Sequence, residues 1–280
     1  MLSKFANKSF FLRLGSGICL IALILLTIIP GGKVLFAANL LISLIGVYEL
    51  YKVFGIEKNS LGITGYLFTL IYYGLIYFET VKQGEILLAF IAVFLIVLLA
   101  QYVFFFPKYK TEQISNTLLG MIYAGILLSY IYLIRQGMDG KYTVWLIFLC
   151  SWGSDTCAYV AGVALGKHKM APVLSPKKSI EGAVGGVIGA AALGAIYASV
   201  FSEKLNVPGN PIVIFAVICA VGALISMVGD LAASAIKRNH EIKDYGYLIP
   251  GHGGIMDRFD SVIYVAPIVW ILLEIAQKLA

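Results

Sequence analysis

Charged residues are scarce in this chain of 280 residues, where they make up 13%, whereas soluble domains carry about 25%. Hydrophobic residues account for 60%, and the mean hydropathy is +0.90. This scarcity of charge excludes an ordinary soluble domain. Since the apolar runs are of the length that helices need to cross a bilayer, the composition predicts an all-α, polytopic integral membrane protein.

Cysteine and histidine are also few, with four and three residues. Each cysteine lies in an apolar run, and none forms a CxxC pair. Cys150 and Cys157 are two helical turns apart with no histidine beside them, which favours buried thiols over a zinc centre.

The chain lacks a basic domain or a recognition motif, so its net charge of +6 does not indicate a nucleic-acid partner. The excess positive charge fits topology signals and contact with anionic membrane lipid. Internal repeats and low-complexity segments are missing as well.

Apolar runs divide the sequence into nine predicted membrane spans. The first follows Lys4, Lys8 and Arg13, as in a signal peptide, but no clear small-x-small cleavage site follows it and more spans do. The others reach the length of about 20 residues that a bilayer requires. The nine predicted spans are 14–29, 34–54, 61–79, 86–106, 114–134, 142–165, 182–201, 211–236 and 260–278.

Lysine and arginine are distributed unevenly between the segments that join these spans. With a cytoplasmic N-terminus, 15 of the 21 fall on cytoplasmic segments, as the positive-inside rule expects. This orientation places two long polar loops, 166–181 and 237–259, on the cytoplasmic side of the cell (inner) membrane. We expect residues 1–140 to form scaffold helices and residues 141–280 to form a catalytic half that carries both loops.

Charge is concentrated in one stretch, residues 226–260. Asp230 and Lys237 are at helical spacing, together with two serines, so the first part predicts a polar face at the end of a helix. The glycines and prolines that follow exclude a helix over 239–254.

The helix after this loop is predicted to begin with Asp257, because the dipole at a helix N-terminus favours carboxylates. The loop can bring Asp257 towards Asp230. Two facing carboxylates repel each other unless a cation lies between them, and Mg²⁺ takes carboxylate and phosphate oxygens. We therefore expect Asp230 and Asp257 to hold a divalent cation, Mg²⁺. Positive charge for a polyanion is available from Lys237, Arg238, Lys243 and Arg258.

Two more polar features lie upstream. Asp155 is near the middle of a predicted span, where a lone charge costs at least ~2.5–3.5 kcal/mol; it indicates a partner for a neighbouring helix or another carboxylate at the metal site.

Ser175 and Pro176 form a good N-cap and N1 pair. Lys177 and Lys178 would then lie in the first turn of a helix, where an anion is their natural partner.

These segments resemble the phosphatidate cytidylyltransferase (CDP-diacylglycerol synthase) family. Across 142–260 many positions match the family's motifs. Before residue 142 only the pattern of hydropathy is similar. Cys157 stands where the family usually has glycine, a difference that concerns helix packing and not the carboxylate of Asp155. The matching segments are SDTCAY at 154–159, SPKKSIEG at 175–182, SAIKR at 234–238, KD at 243–244, PGHGG at 250–254 and DRFD at 257–260.

The resemblance implies a nucleotidyltransferase that uses CTP and phosphatidate, forms CDP-diacylglycerol and pyrophosphate for phospholipid biosynthesis, and assembles as a homodimer. It implies that Ser175, Lys177 and Lys178 bind the triphosphate of CTP. We expect Asp155 to support the metal carboxylates and Asp260 to orient Arg258. The lipid phosphate or the leaving pyrophosphate is assigned to Lys237, Arg238 and Arg258, and the lining of the phosphate pocket to His252, Gly253 and Gly254.

Two further features of the sequence, Glu49 and a run of glycines, give expectations about structure. Glu49 lies near a helix end and is interpreted as an interfacial carboxylate that snorkels or is paired. Gly182, Gly185, Gly186 and Gly189 follow small-xxx-small spacing, which predicts close packing of membrane helices.

Three alternatives share some of these features. A CTP-dependent membrane lipid kinase would also have a basic loop and metal-binding carboxylates. An ion-coupled transporter would use Asp155 and Asp230 as proton or Na⁺ sites, but the inverted repeats typical of transporters are missing. A CDP-alcohol phosphotransferase would need an Asp-Gly-x-x-Ala-Arg run, which the sequence does not contain.

Asp257→Asn is expected to abolish turnover while the protein stays folded in detergent, because a neutral amide is a poorer ligand for a hard divalent cation than a carboxylate. Cytidylyl transfer by the purified variant checks the activity, and size-exclusion chromatography checks the fold. Rates like those of the wild type with Mg²⁺ would remove Asp257 from the metal assignment.

Overall fold

The computed structural model describes residues 2–78 and 84–278. Over these ranges the chain forms nine helices and one two-stranded hairpin. The helices are α1 Leu2–Ile28, α2 Gly32–Val53, α3 Ser60–Tyr77, α4 Gly84–Phe104, α5 Thr111–Gln136, α6 Gly140–Leu165, α7 Ile180–Phe201, α8 Pro211–Asn239 and α9 Met256–Lys278. The strands are β1 Lys169–Ala171 and β2 Ser175–Ser179.

Eight of the described helices, α2 to α9, are long and apolar enough to cross a membrane, and α1 contains a shorter apolar segment, Gly15–Ile28. The prediction of an all-α polytopic membrane protein is confirmed. The ends of α2 to α9 lie within a few residues of the predicted spans, whereas α1 begins twelve residues before its predicted span. Lys82, one of the charges counted for the orientation, lies outside the described residues, as do the side chains of Lys4, Lys8 and Arg13.

The helices form two compact units, each built from stretches that are separate in sequence. The first unit contains Met1–Ser16, Phe36–Ser129 and Asp244–Met256, and the second contains Gly17–Leu35, Tyr130–Lys243 and Asp257–Ala280.

In the first unit, buried polar side chains join the helices through hydrogen bonds. The Asn39 side chain donates to the Tyr73 hydroxyl and to the Leu128 carbonyl, each at 3.0 Å. The Tyr51 hydroxyl donates to the Thr117 carbonyl at 2.7 Å. Since an unpaired buried polar group costs about 1–3 kcal/mol, these bonds favour one arrangement of the helices.

In the second unit, α7 packs closely on α6 and α8 through small residues. A Cβ atom on Gly185 would overlap the Cβ of Ala161, and one on Gly189 would lie 2.5 Å from the sulfur of Cys157. On the side towards α8, a Cβ on Gly194 would lie 2.6 Å from the Phe215 carbonyl oxygen. The predicted close packing is confirmed, and Gly189 makes room for the cysteine that departs from the family pattern.

The prediction that Ser175 begins a helix is wrong. Ser175 lies in β2 and pairs with Ala171, and Ser179 pairs with Lys169, in an antiparallel hairpin. The N-cap lies four residues later, at Ser179, whose hydroxyl accepts a hydrogen bond from the Gly182 N–H at 3.1 Å. Ser179 is as good a cap as Ser175, and it places an acidic residue, Glu181, in the first turn, where the dipole favours it.

Gly185→Val is expected to destabilise the protein by about 1–3 kcal/mol, because an added side chain would overpack the contact of α7 with α6. The measurement is the free energy of unfolding in mixed detergent micelles. Ala192→Val, at an exposed position of the same helix, is the matched control. Equal effects of the two substitutions would contradict the packing argument.

Candidate active site

A cavity of about 500 Å³ lies within the second unit, between α6, the hairpin, α7 and α8. Apolar side chains of the helices form part of its wall, and charged side chains face one another across the rest. The polar side chains that line it are those of Asp155, Lys169, Lys177, Lys178, Ser179 and Asp230. Four of these six were predicted as site residues; Lys169 and Ser179 were not.

Asp230 and Lys178 form an ion pair in this cavity, with side chains 28% and 24% exposed. Asp155 lies within electrostatic range of both, so one lysine offsets two carboxylates. Asp155 follows a π-helical turn, Leu149–Gly153, a feature common at functional sites because it redirects the helix face. The hairpin therefore supplies the cation, and the helices supply the anions.

A second ion pair lies where α9 begins. The Lys237 ammonium donates to a carboxylate oxygen of Asp257 at 3.0 Å, and the Asp257 side chain is only 2% exposed. Asp260, one turn along α9, is within electrostatic range of Asp230, Lys237 and Arg258. The predicted start of this helix at its acidic residues is confirmed.

Arg258 keeps part of its hydrogen-bonding capacity unused. Its buried Nε atom has no hydrogen-bond partner within the described part of the chain. A buried guanidinium N–H without an acceptor is costly, and an anionic ligand would satisfy it. Arg238 and Lys243 are exposed, at the end of α8 and in the loop that follows.

The glycine-rich run belongs to the first unit. His252 Nδ1 lies 2.6 Å from the Ser16 hydroxyl, and Gly253 adopts a left-handed φ of 86° while its carbonyl accepts from the Ile249 N–H at 2.8 Å. Gly254 is buried against the carboxylate of Glu49.

Sequence reasoning missed two carboxylates that hold loop backbone. Glu49, interpreted as an interfacial residue, is buried and accepts hydrogen bonds from the N–H groups of Ile255 and Met256, directly after the glycine-rich run. Glu181 accepts from the N–H groups of Lys167 and His168, and one of its oxygens lies 2.6 Å from His168 Nδ1. These bonds of Glu181 hold the residues that lead into the hairpin, which carries Lys178. The only local signal for Glu49 was an acidic residue within an apolar helix.

Residues 11–276 match the cytidylyltransferase family. The chain belongs to this family. It is 30% identical to the phosphatidate cytidylyltransferase of Bacillus subtilis over 91% of this chain and 95% of that protein. It is 36% identical to the enzyme of the same name from Staphylococcus haemolyticus over 59% of this chain and 61% of the relative, and 31% identical to that of Thermotoga maritima over 61% and 63%. The predicted nucleotidyltransferase family is confirmed.

The carboxylates of this cytidylyltransferase could hold a divalent cation only as a set of one or two protein ligands. Among residues 2–78 and 84–278, no group of three or more His, Cys, Asp or Glu side chains lies together as a metal site. Asp230, with Asp155 and Asp260 in electrostatic range, offers hard oxygen ligands that repel one another. Mg²⁺ commonly binds one or two carboxylates and completes its shell with water and phosphate oxygens.

Lys178→Met is expected to lower the free energy of unfolding by about 1–3 kcal/mol, because Asp230 and Asp155 would lose the cation that offsets them. Asp155→Asn in the same chain should restore much of this loss by removing one of the repelling charges. Unfolding in mixed detergent micelles measures both effects.

Lys177→Met is the matched control, since Lys177 is exposed and belongs to the same strand. It should change stability little. Equal losses for the two lysine variants, without restoration by Asp155→Asn, would show that the Lys178 ion pair does not support the site.

Proposed function

We propose that this protein transfers the cytidylyl group of CTP to phosphatidate and releases CDP-diacylglycerol and pyrophosphate. The observation that carries the proposal is the cavity of the second unit, where lysines of a polar hairpin face carboxylates beside apolar membrane helices. Such a cavity suits a polyanion that reacts with a lipid headgroup. The names of the relatives support the same substrates.

The reaction needs no general base on the protein. A phosphomonoester has a second pKa near 6, so the attacking oxygen of phosphatidate is already largely ionised at pH 7. This oxygen forms a bond to the α-phosphorus of CTP, and the bond from that phosphorus to the β-phosphate oxygen breaks. The obstacle is repulsion between two anions, which positive charge and alignment overcome.

Two groups of basic residues would bind the phosphates of the two substrates. Lys177 and Lys178 project from β2, whose first residue is Ser175, and we assign the CTP phosphates to these three. The lipid phosphate or the pyrophosphate is assigned to Lys237, Arg238 and Arg258, with Lys243 adding charge. The Nε atom of Arg258, which has no hydrogen-bond partner among residues 2–78 and 84–278, supports this assignment.

Asp230 and Asp257 would hold Mg²⁺, with Asp155 as a supporting carboxylate. When bound, the ion would neutralise charge on the reacting phosphates. Asp257 would exchange its bond with Lys237 for the metal, and the ammonium of Lys237 could then contact a phosphate. Metal binding at Asp257 and phosphate binding at Lys237 would therefore be coupled.

The glycine-rich run is still predicted to line a phosphate pocket. His252, Gly253 and Gly254 would line it with backbone N–H groups. The contact of His252 with Ser16 gives this histidine a fixed ring orientation, which suits a residue that positions a ligand.

We infer a location in the cell inner membrane with the site facing the cytoplasm, since this orientation puts most basic residues inside and gives CTP access. A homodimer is the assembly we expect from the family resemblance.

Purified protein in detergent, given phosphatidate and CTP labelled at the α- or the γ-phosphate, is expected to move only the α-label into lipid and to release the γ-label as pyrophosphate. The reaction should require a divalent cation and stop on chelation. Diacylglycerol in place of phosphatidate is the control substrate.

A lipid kinase would instead move the γ-label into diacylglycerol and release CDP. Solute uptake into liposomes without CTP, and no labelled lipid product, would support the ion-coupled transporter. Either outcome would overturn the proposed function.

A further inference from the structure

Glu49 is an ionisable residue inside a membrane-spanning helix that the proposed chemistry does not use. It lies on α2 and is 4% exposed. Burial of a carboxylate is costly unless hydrogen bonds offset the lost hydration. Its Oε1 atom accepts from the Ile255 N–H at 3.1 Å, and its Oε2 atom accepts from the Met256 N–H at 2.9 Å.

These two N–H groups belong to the start of α9. The first N–H groups of a helix have no acceptor within the helix, and a Ser, Thr, Asp or Asn side chain just before it usually supplies one. Here the residue before the helix is Ile255, which has no side-chain acceptor. Glu49 fulfils the role from 206 positions away in sequence, and its negative charge also suits the positive end of the helix dipole.

Two glycines of the same unit make room for this carboxylate. A Cβ atom on Gly246 or on Gly254 would overlap Oε1 of Glu49. Neither glycine has the positive φ that requires glycine, in contrast to Gly251 and Gly253. Close approach of Glu49 therefore explains why no side chain fits at these two positions.

We propose that Glu49 is a positioning residue that anchors the loop 244–255 to α2 and fixes the first turn of α9. That turn begins at Met256 and continues directly into Asp257, Arg258 and Asp260. The proposal depends on the proposed function, because it is cytidylyl transfer that requires these three side chains in a fixed arrangement. Glu49 acts through the backbone of α9 and does not touch substrate.

The first test compares Glu49→Ala with the full-length wild-type protein in detergent by hydrogen–deuterium exchange. Amides at the start of α9, residues 255–260, are expected to exchange about tenfold faster in the variant, because the cap is lost. We also expect kcat to fall at least tenfold while KM for CTP changes less. Glu49→Gln, which keeps the size and one acceptor oxygen, should recover part of both.

The second test is a double-mutant cycle with Gly254→Ala. Alone, Gly254→Ala should reproduce the faster exchange and lower kcat, since its methyl group would displace the Glu49 carboxylate. Added to Glu49→Ala it should have little further effect, because the shorter side chain leaves room for it. Additive losses would show that the two residues do not act through their contact and would overturn the proposal.

Asn39→Ala is the matched control, a buried polar residue on the same helix and in the same unit. It should lower the thermal stability without faster exchange at 255–260. Exchange unchanged in Glu49→Ala would overturn the positioning role even in an active enzyme. A wild-type protein that makes no CDP-diacylglycerol would overturn the proposed function, while the exchange measurements would still decide whether Glu49 holds the start of α9.

Discussion

Carboxylates within membrane-spanning helices are the constraint on which the second unit depends. Asp230 lies within electrostatic range of Asp155 and Asp260, and charges in membrane-spanning helices are costly unless other groups compensate them. Lys178, on the hairpin, offsets the charges of Asp230 and Asp155. Lys237, on α8, forms an ion pair with Asp257. The glycines of α7 contribute indirectly, because only small residues let α6 and α8 approach closely enough for their charges to share partners.

The same ion pairs connect stability to the proposed chemistry. A carboxylate that repels its neighbours binds a divalent cation well, and a lysine released from a carboxylate binds phosphate well. Without substrate, protein cations compensate protein anions. With substrate, phosphates and a metal would take over part of this compensation at little net cost in buried charge. The proposed function and the stability of this region would therefore depend on the same charged side chains.

In the first unit, too, a buried carboxylate needs partners, and backbone N–H groups supply them. Glu49 is buried, and the N–H groups of Ile255 and Met256 stabilise it. A helix start that lacks a cap of its own and a carboxylate that lacks water satisfy each other. Contacts of this kind give a glycine-rich loop a defined course, although its sequence favours many conformations.

The sequence by itself determined the features that depend on local composition. Hydropathy located the membrane helices within a few residues, helical spacing placed Asp230 and Lys237 on α8, and the charged run predicted the start of α9. The tertiary structure decided the rest. Ser175 and Ser179 are equal as local cap signals, and strand pairing with Lys169 and Ala171 selected the second. The partners of Asp230 and of Glu49 lie far away in sequence, and only the packing of helices brings such residues together, because no local pattern records which distant groups will lie next to each other.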